Sequence, residues 1–416
     1  MQRDNNRSFI RWRWHIVASL YLGSICYLLF QGGRTAVMLL VILTALILYL
    51  ILGKWSGIRS VQGERKLGQF GNADGQAISG TSAEVSLSVH VPGYYPLPYI
   101  LVRDRLFRHD GQSIPFETSF VPNWKRFGEV RYTTPPLKRG LYRFGPTECS
   151  TRDVFGMFEH SGSFETGTSF SVVPQTVPLR GWHQIRRGMR GPHSHASAPR
   201  AAKETTQING VREYLYGDKL SRVHWNATAK TGEWKSKAFE RESLPRTIVV
   251  LDRSTEAYGI RQERFELAVS VAASLIELGM RRETAMGLVS AGEHTAVLAP
   301  RSGADHRAGM IRHLTVVEPD ASQSLYASLQ RLESVWEPGT LVVFVSGAQG
   351  DSVMRAMSWL SRKGVSLSYI GIEDADLRGG RMIKAAWLQA LRAKGWSAYS
   401  VRQLQDLPAV LEGGAS

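Results

Sequence analysis

Thr35–Leu52, TAVMLLVILTALILYLIL, is eighteen residues without a single charge. In helical form a run that long and that apolar matches the hydrocarbon thickness of a bilayer, where backbone N–H and C=O groups must pair within the segment. A second apolar block, Ile16–Phe30, comes before it and is diluted by Ser19, Gly23 and Ser24. Trp12 and Trp14 suit the membrane–water interface and lengthen its usable span. Only Gln31-Gly32-Gly33-Arg34 separates the blocks. The expectation is a transmembrane helical hairpin within residues 1–58, with spans at about 14–31 and 35–53. A cleaved signal peptide is the competing reading of the first block; it lacks the small-residue cleavage site, and a second span follows at once.

Flanking charge sets the expected orientation. Arg3, Arg7, Arg11 and Arg13 precede the hairpin, Lys54, Arg59, Arg65 and Lys66 follow it, and Arg34 alone lies in the turn. By the positive-inside rule both termini belong in the cytoplasm, at the inner (plasma) membrane. The whole chain has 51 Lys+Arg against 36 Asp+Glu, a net +15. The anionic inner leaflet accounts for part of that excess without a nucleic acid. Two cysteines, Cys26 and Cys149, exclude a disulfide scaffold and a four-thiolate zinc or iron–sulfur site.

Residues 59–178 read as many short strands. Glu84–Val91 alternates Val85, Leu87, Val89 and Val91 with Ser86, Ser88 and His90, the period of a half-buried strand. Gly/Pro punctuation and no long helical period give a β-sandwich-like middle, read as a packing module. Residues 179–206 are expected to be a basic linker: Arg180, Arg186, Arg187, Arg190, Arg200 and Lys203 occur with no acid between them. Lipid contact is an alternative for this stretch. Nucleic-acid binding is not expected, because few aromatics are interleaved. His193 and His195 make a poor metal fragment without nearby Cys, Asp or Glu.

From Thr247 strands and helices alternate. Thr247–Asp252 is an apolar run suited to a strand buried on both faces. Phe265, Ala268, Val269, Ala272, Leu275 and Ile276 recur at helical spacing. Ala285–Ser290 is the next strand with His294–Ala299 as its hairpin neighbour, and strands at Thr340–Gly347, Ser366–Ile372 and Trp396–Val401 follow in alternation with helices, implying a largely parallel α/β sheet covered on both faces. Ahead of it, Gly210–Glu242 carries the conspicuous polar set Asp218, Arg222, His224, Trp225, Lys230 and Glu240. Gly217-Asp218 reads as a turn with Asp218 as a helix N-cap; Leu220, Val223 and Ala227 would share a helix face, Gly232 would end the helix, and Trp234–Glu242 would be a strand. The polar set admits three readings: a general acid/base group, a salt-bridged structural plug, or a docking surface, since Arg and Trp are common at interaction hot spots.

The run Arg212-x-Tyr214, Gly217-Asp218, Arg222-Val223-His224-Trp225, Ala229-Lys230, Phe239-Glu240-x-Glu242 and Val249-Val250-Leu251-Asp252 resembles the bacterial family known as domain of unknown function 58. Arg139-Gly140-x-Tyr142, Gly145-Pro146 and Thr151-x-Asp153-x-Phe155-Gly156 resemble its middle region. Lys230 stands where the family often has Arg. The resemblance implies a multidomain protein: a membrane hairpin, a β-rich middle, and a C-terminal von Willebrand factor A-like (Rossmann-like) α/β domain within 207–416. It also implies association with MoxR-type AAA+ ATPases, and in some cases with transglutaminase-like membrane proteins.

Such a domain can hold Mg²⁺ through Asp-x-Ser-x-Ser after its first strand. Here Asp252 and Ser254 match, Glu256 replaces the last serine, Ser322 or Ser324 stands in for a later Thr, and Asp351 lies several residues beyond Ser346-Gly347. Arg253 could serve there as an internal cation, and Asp252 could equally be a structural carboxylate that caps loop amides. No phosphate loop, nucleophile elbow or His-Glu-x-x-His run is present. The sequence thus favours a membrane-anchored, non-enzymatic adaptor without a cofactor. The alternative is a metal-dependent hydrolase using Asp252, Ser254 and His224.

Overall fold

The computed structural model describes residues 2–52, 56–68, 76–95, 97–154, 159–182, 184, 203–216, 218–242, 246–259, 262–373 and 381–413, with side chains left out at 2–11, 13, 203–210, 238–242 and 381–385. It divides into two units, Met1–Val173 and Pro174–Ser416.

The first unit begins with α1 (Gln2–Gln31) and α2 (Gly33–Leu52). Trp14–Gln31 and Gly33–Leu52 are long and apolar enough to cross a membrane. Twenty residues at 1.5 Å rise give α2 a length of about 30 Å, the thickness of a hydrocarbon core. Leu22, Leu29, Phe30, Met38, Val41 and Leu48 are exposed on these helices, a surface that water penalises and acyl chains accept.

Among the described residues ten strands follow: β1 (Gln62–Leu67), β2 (Ala77–Ile78), β3 (Glu84–His90), β4 (Ile100–Arg108), β5 (Ser113–Phe120), β6 (Phe127–Thr133), β7 (Gly140–Phe144), β8 (Thr147–Arg152), β9 (Glu159–Phe164) and β10 (Ser169–Val173). They form a three-stranded sheet, β1-β3-β6, and a seven-stranded sheet, β2-β10-β7-β4-β8-β9 with β5 on β4. Val85, Leu87 and Val89 are buried, as their alternation requires, and both core clusters take side chains from both sheets.

An ion pair absent from the sequence reading ties the sheets together. Arg65 on β1 donates Nη2 to both oxygens of Asp104 on β4 at 2.9 Å, and the side chains are 0% and 1% exposed. Tyr132 donates to Asp104 at 2.5 Å, Arg65 also reaches Thr147 at 2.8 Å and Thr166 at 2.6 Å, and its guanidinium lies 4.0 Å from the Phe144 ring centre. Two desolvated charges persist in a core only when geometry and extra hydrogen bonds offset the loss of water. Burial and the Asp104 carboxylate push the Tyr132 hydroxyl well above its usual range and the Cys149 thiol up to about 12.

The second unit holds β11 (Lys203–Glu213) and β12 (Lys235–Glu242), paired antiparallel, and a six-stranded sheet of β13 (Arg246–Asp252), β14 (Ala285–Ala291), β15 (Ala296–Arg301), β16 (Leu341–Ser346), β17 (Ser366–Ile372) and β18 (Ser397–Val401). Its order is β15-β14-β13-β16-β17-β18, with β15 antiparallel and the other neighbours parallel. One face is covered by α5 (Gln262–Arg281), α6 (Ala304–Val316) and α10 (Leu407–Glu412). The other is covered by α7 (Leu325–Gln330), α8 (Asp351–Ser361) and α9 (Arg381–Ala393). The remaining helices, α3 (Trp225–Thr231) and α4 (Thr255–Tyr258), are short. The predicted strand–helix alternation is therefore present, as are the helix through Phe265–Ile276 and the hairpin neighbour of β14.

One boundary differs. Residues 179–182, expected to open a linker, pack into the α/β core: Leu179 and Trp182 are buried there, and Trp182 Nε1 donates to the Tyr399 hydroxyl at 3.3 Å. Apolar side chains three positions apart were masked in the sequence by the surrounding arginines. Arg186, Arg187, Arg190, His193, His195 and Arg200 lie outside the described residues.

Asp104→Ala strands the Arg65 charge and is expected to destabilise the β-rich unit by about 3–5 kcal/mol. Arg65→Met with Asp104→Leu should recover most of that loss. Hydrogen-exchange protection of the Val85–Val89 amides measures both.

Candidate functional site

Two places in the second unit gather the residues singled out by the sequence. The first is the β11–β12 ribbon with α3. Backbone bonds hold it: Tyr214 N–H donates to Trp234 O at 3.0 Å, His224 N–H to Lys235 O at 2.8 Å, and Val223 bridges Ser236. The chain between the strands is thereby folded back on the ribbon.

Asp218 is not the cap of the helix. Its carboxylate accepts from Arg212 Nη2 at 2.7 Å and from the Leu215 N–H at 3.1 Å, while its carbonyl accepts from the Tyr214 hydroxyl at 2.9 Å. The Arg212 guanidinium holds the Asp218 carboxyl below its ordinary range. The cap is His224, whose Nδ1 accepts from the Ala227 N–H at 3.2 Å. Imidazole can take this role because its neutral Nδ1 carries a lone pair directed at the first helical turn. Gly232 ends α3 at φ 72°, as expected of a left-handed C-cap. Leu220 and Val223 do not share a helix face with Ala227: Leu220 lies in a 3₁₀ turn and is exposed, and Val223 is buried against Ser236. The cap moved because the Arg212 pair, formed across six residues, claims Asp218 first.

The six-residue polar set is therefore distributed. Asp218 pairs with Arg212, His224 caps α3, Lys230 is exposed in its last turn, and the Arg222 carbonyl accepts from Ser236 Oγ at 3.4 Å. The Glu240 side chain lies outside the described ones. Trp225 gathers other rings instead: its centroid is 6.1 Å from that of Trp234, which lies 5.4 Å from Tyr214. Trp225 is 62% exposed and Trp234 50%, and Tyr216, Leu215 and Leu220 are also exposed. The sequence reading missed Trp234 and Tyr214 as members of this surface; the paired positions flanking the hairpin chain were the available signal.

The second place is the carboxyl end of β13. In an open α/β sheet of this strand order, the crevice lies where the order reverses, here between β13 and β16. Asp252 ends β13 and Ser346 ends β16. The buried Asp252 carboxylate accepts from Ser346 Oγ at 2.5 Å and from the Ser254 N–H at 2.9 Å, and the Asp252 carbonyl accepts from Tyr258 at 2.9 Å. Burial pushes the Asp252 carboxyl upward, and these neutral donors only partly oppose it.

Arg253 does not act as a cation for Asp252. It donates Nη2 to Asp320 at 2.6 Å and Nε to the Glu318 carbonyl at 2.9 Å. Glu256 is exposed, Ser322 is exposed, Ser324 caps α7, and Asp351 opens α8 and pairs with Arg355. Against the six oxygens Mg²⁺ asks for, the site offers one carboxylate and the hydroxyls of Ser254 and Ser346, and both carboxylate oxygens already accept hydrogen bonds. Among the described residues no group of three or more His, Cys, Asp or Glu is arranged to hold a metal ion.

Because burial raises the folded pKa of Asp252, the folded state keeps its proton to higher pH than the unfolded chain. Its contribution is fully present below the unfolded value, about 3.9, and is lost as pH rises through the raised folded value. Asp252→Asn keeps the acceptor for Ser254 and should flatten that dependence in urea unfolding of the α/β unit measured from pH 4 to 8. Asp252→Leu leaves two buried donors unmet and should cost about 1–3 kcal/mol for each.

Residues 210–376 match the family model described as "Protein of unknown function DUF58". The "Uncharacterized protein YeaD" of Bacillus subtilis (strain 168) is 25% identical over 320 residues, 76% of this chain and 77% of the relative. Among solved structures, an aerotolerance-related membrane protein from Bacteroides fragilis NCTC 9343 is 14% identical, with 41% of this chain and 97% of that one covered at a TM-score of 0.29. Proximal thread matrix protein 1 from the mussel byssus is 16% identical over 40% of this chain and 45% of its own, at a TM-score of 0.30. These two structural likenesses are too slight to carry an argument. The matched segment contains the Gly-Asp…Arg-x-His-Trp run and the strand ending in Asp252, and it is this part of the chain that is similar to the DUF58 family.

Proposed function

We propose that this protein is a membrane-anchored adaptor that presents a von Willebrand factor A-like α/β domain to a cytoplasmic partner, a MoxR-type AAA+ ATPase, and carries out no bond-breaking itself. The two apolar helices serve as a hairpin in the inner membrane with both termini in the cytoplasm, an orientation that rests on the arginines flanking them. The strand order of the second unit supports the domain type. The ATPase as partner, and a transglutaminase-like membrane protein as a further one, rest on the family resemblance.

One observation carries the docking role. Trp225 and Trp234 stand exposed beside Arg222 and Lys230 on a segment braced by the Arg212–Asp218 pair and the His224 cap. Large rings left in water on a braced scaffold lose little conformational entropy when a partner covers them. The same geometry weighs against acid/base chemistry at His224, whose Nδ1 lone pair is engaged by a backbone donor.

Detergent-solubilised protein should capture a MoxR-type ATPase. Arg222→Glu or Trp225→Ala should weaken capture about tenfold or more, ~1.4 kcal/mol, with the α/β unit still folded. Undiminished capture by both folded variants would remove the ribbon from the interface.

The position of Asp252 at the crevice favours one second reading, a metal-dependent hydrolase using Asp252, Ser254 and His224. Titration calorimetry of the full chain with Mn²⁺ or Mg²⁺ should then show saturable binding that Asp252→Asn abolishes. Absence of binding dismisses this reading and leaves Asp252 as a loop-capping carboxylate.

A further inference from the structure

The end of the β-sandwich nearest to α2 is built differently from the rest of that unit. Register places four segments there. Ile100 faces Phe120 across β4 and β5, His90 faces Phe127 across β3 and β6, and Leu101 faces Ser150 across β4 and β8. The loops before Ile100, between β5 and β6, and after β8 therefore share one end, and the Tyr99 carbonyl accepts from Thr151 at 2.7 Å. The fourth segment is the chain leaving α2: the Ser56 carbonyl accepts from the Arg126 guanidinium, and the Val91 N–H donates to the Arg126 carbonyl at 3.1 Å. Gly57, at φ 75°, admits this approach, since a Cβ there would overlap the Pro92 carbonyl oxygen.

These loops also touch the last turn of α2 itself. The Tyr95 ring lies 5.6 Å from that of Tyr49, the Tyr95 hydroxyl donates to the Tyr49 carbonyl at 3.5 Å, and the Val154 N–H donates to the Tyr49 hydroxyl at 3.4 Å. Tyr49 is three residues short of the end of α2 at Leu52, about 4.5 Å along the helix axis. The loops thus sit at the level where a span of that length leaves the hydrocarbon.

The side chains on these loops suit that level. Tyr94 and Trp124 are fully exposed, at 103% and 104%, and Val121 and Val154 are exposed at 74% and 69%. Lys125, next to Trp124, and Arg59, three residues beyond Ser56, are exposed, while the acids there are engaged: Asp153 is buried and Glu159 pairs with Arg152. Aromatic rings with flanking cations match the headgroup layer, where ring bodies meet acyl carbons and charged tips meet phosphate.

We propose that this end of the sandwich is a membrane-interface surface, with Tyr94, Trp124, Val121 and Val154 seated among lipid headgroups and Lys125 and Arg59 paired with anionic phosphate. The inference rests on reading the two helices as membrane spans. It adds a second attachment: the β-rich unit is held against the bilayer by its own loops and does not hang from α2 by residues 53–57 alone.

The test uses the full chain in vesicles containing phosphatidylglycerol, in a Cys26→Ser background; Cys149 is buried and resists labelling. Single cysteines at Tyr94, Trp124, Leu48 and Gln112 carry an environment-sensitive fluorophore, and quenching by lipids with a headgroup-level spin label is compared. Gln112 lies at the opposite end of β4, about 25–30 Å away by strand rise. Tyr94→Cys and Trp124→Cys remove no buried contact, so folding is preserved. The expected result is quenching at 94 and 124 several-fold stronger than at 112, with a blue-shifted emission. Membrane quenching at Leu48 with 94 and 124 no different from 112 overturns this inference and leaves the spans intact. No membrane quenching at Leu48 overturns the spans and this inference together.

Discussion

The α/β unit depends on one strand. β13 is paired in parallel on both edges and buried on both faces from Thr247 onward, so every backbone group along it must find a partner within the sheet, and from Ile248 to Leu251 its side chains are apolar. Its first polar side chain on leaving the sheet is Asp252. The carboxylate there is forced into a site without water, and it gathers the Ser254 amide and the Ser346 hydroxyl. These contacts fix the loops at the reversal of strand order. The crevice and a structural keystone thus occupy one position for the same reason: at the carboxyl end of a central strand the neighbouring loops diverge enough to admit a polar group.

The β-rich unit solves a different problem. Two sheets that bury alternating valines and leucines need little specificity to adhere, yet Arg65 and Asp104 place a charge pair between them. Each hydrogen bond in that network demands a particular residue on a particular strand, so a shift of register by one would leave a charge unpaired in the core.

The ribbon carrying the family motif shows how a conspicuous polar set can be misread when spacing is the only guide. Asp218, Arg222 and His224 suggest mutual pairing, but a ribbon crossing brings Arg212 to Asp218 and frees the rings to collect at the surface. Asp218 and His224 brace the segment, and Trp225 and Trp234 present it. Bracing and exposure are separate tasks, and the ribbon divides them between different residues.

From its residues alone the chain determined whatever rests on local periodicity: the two apolar helices, the alternating strand Glu84–His90, the strand–helix succession after Thr247 and the Gly232 helix end. These follow because 3.6- and 2-residue periods and a run of uncharged residues are written in consecutive positions. Tertiary structure alone decided which distant groups meet. Arg65 found Asp104 across 39 residues, Asp252 found Ser346 across 94, and Trp182 left its basic surroundings to reach Tyr399. The loops around Tyr94 and Trp124 likewise came together at the end of α2 only through strand register. Burial energy and hydrogen-bond geometry select such pairs, and they leave no period for the linear chain to display.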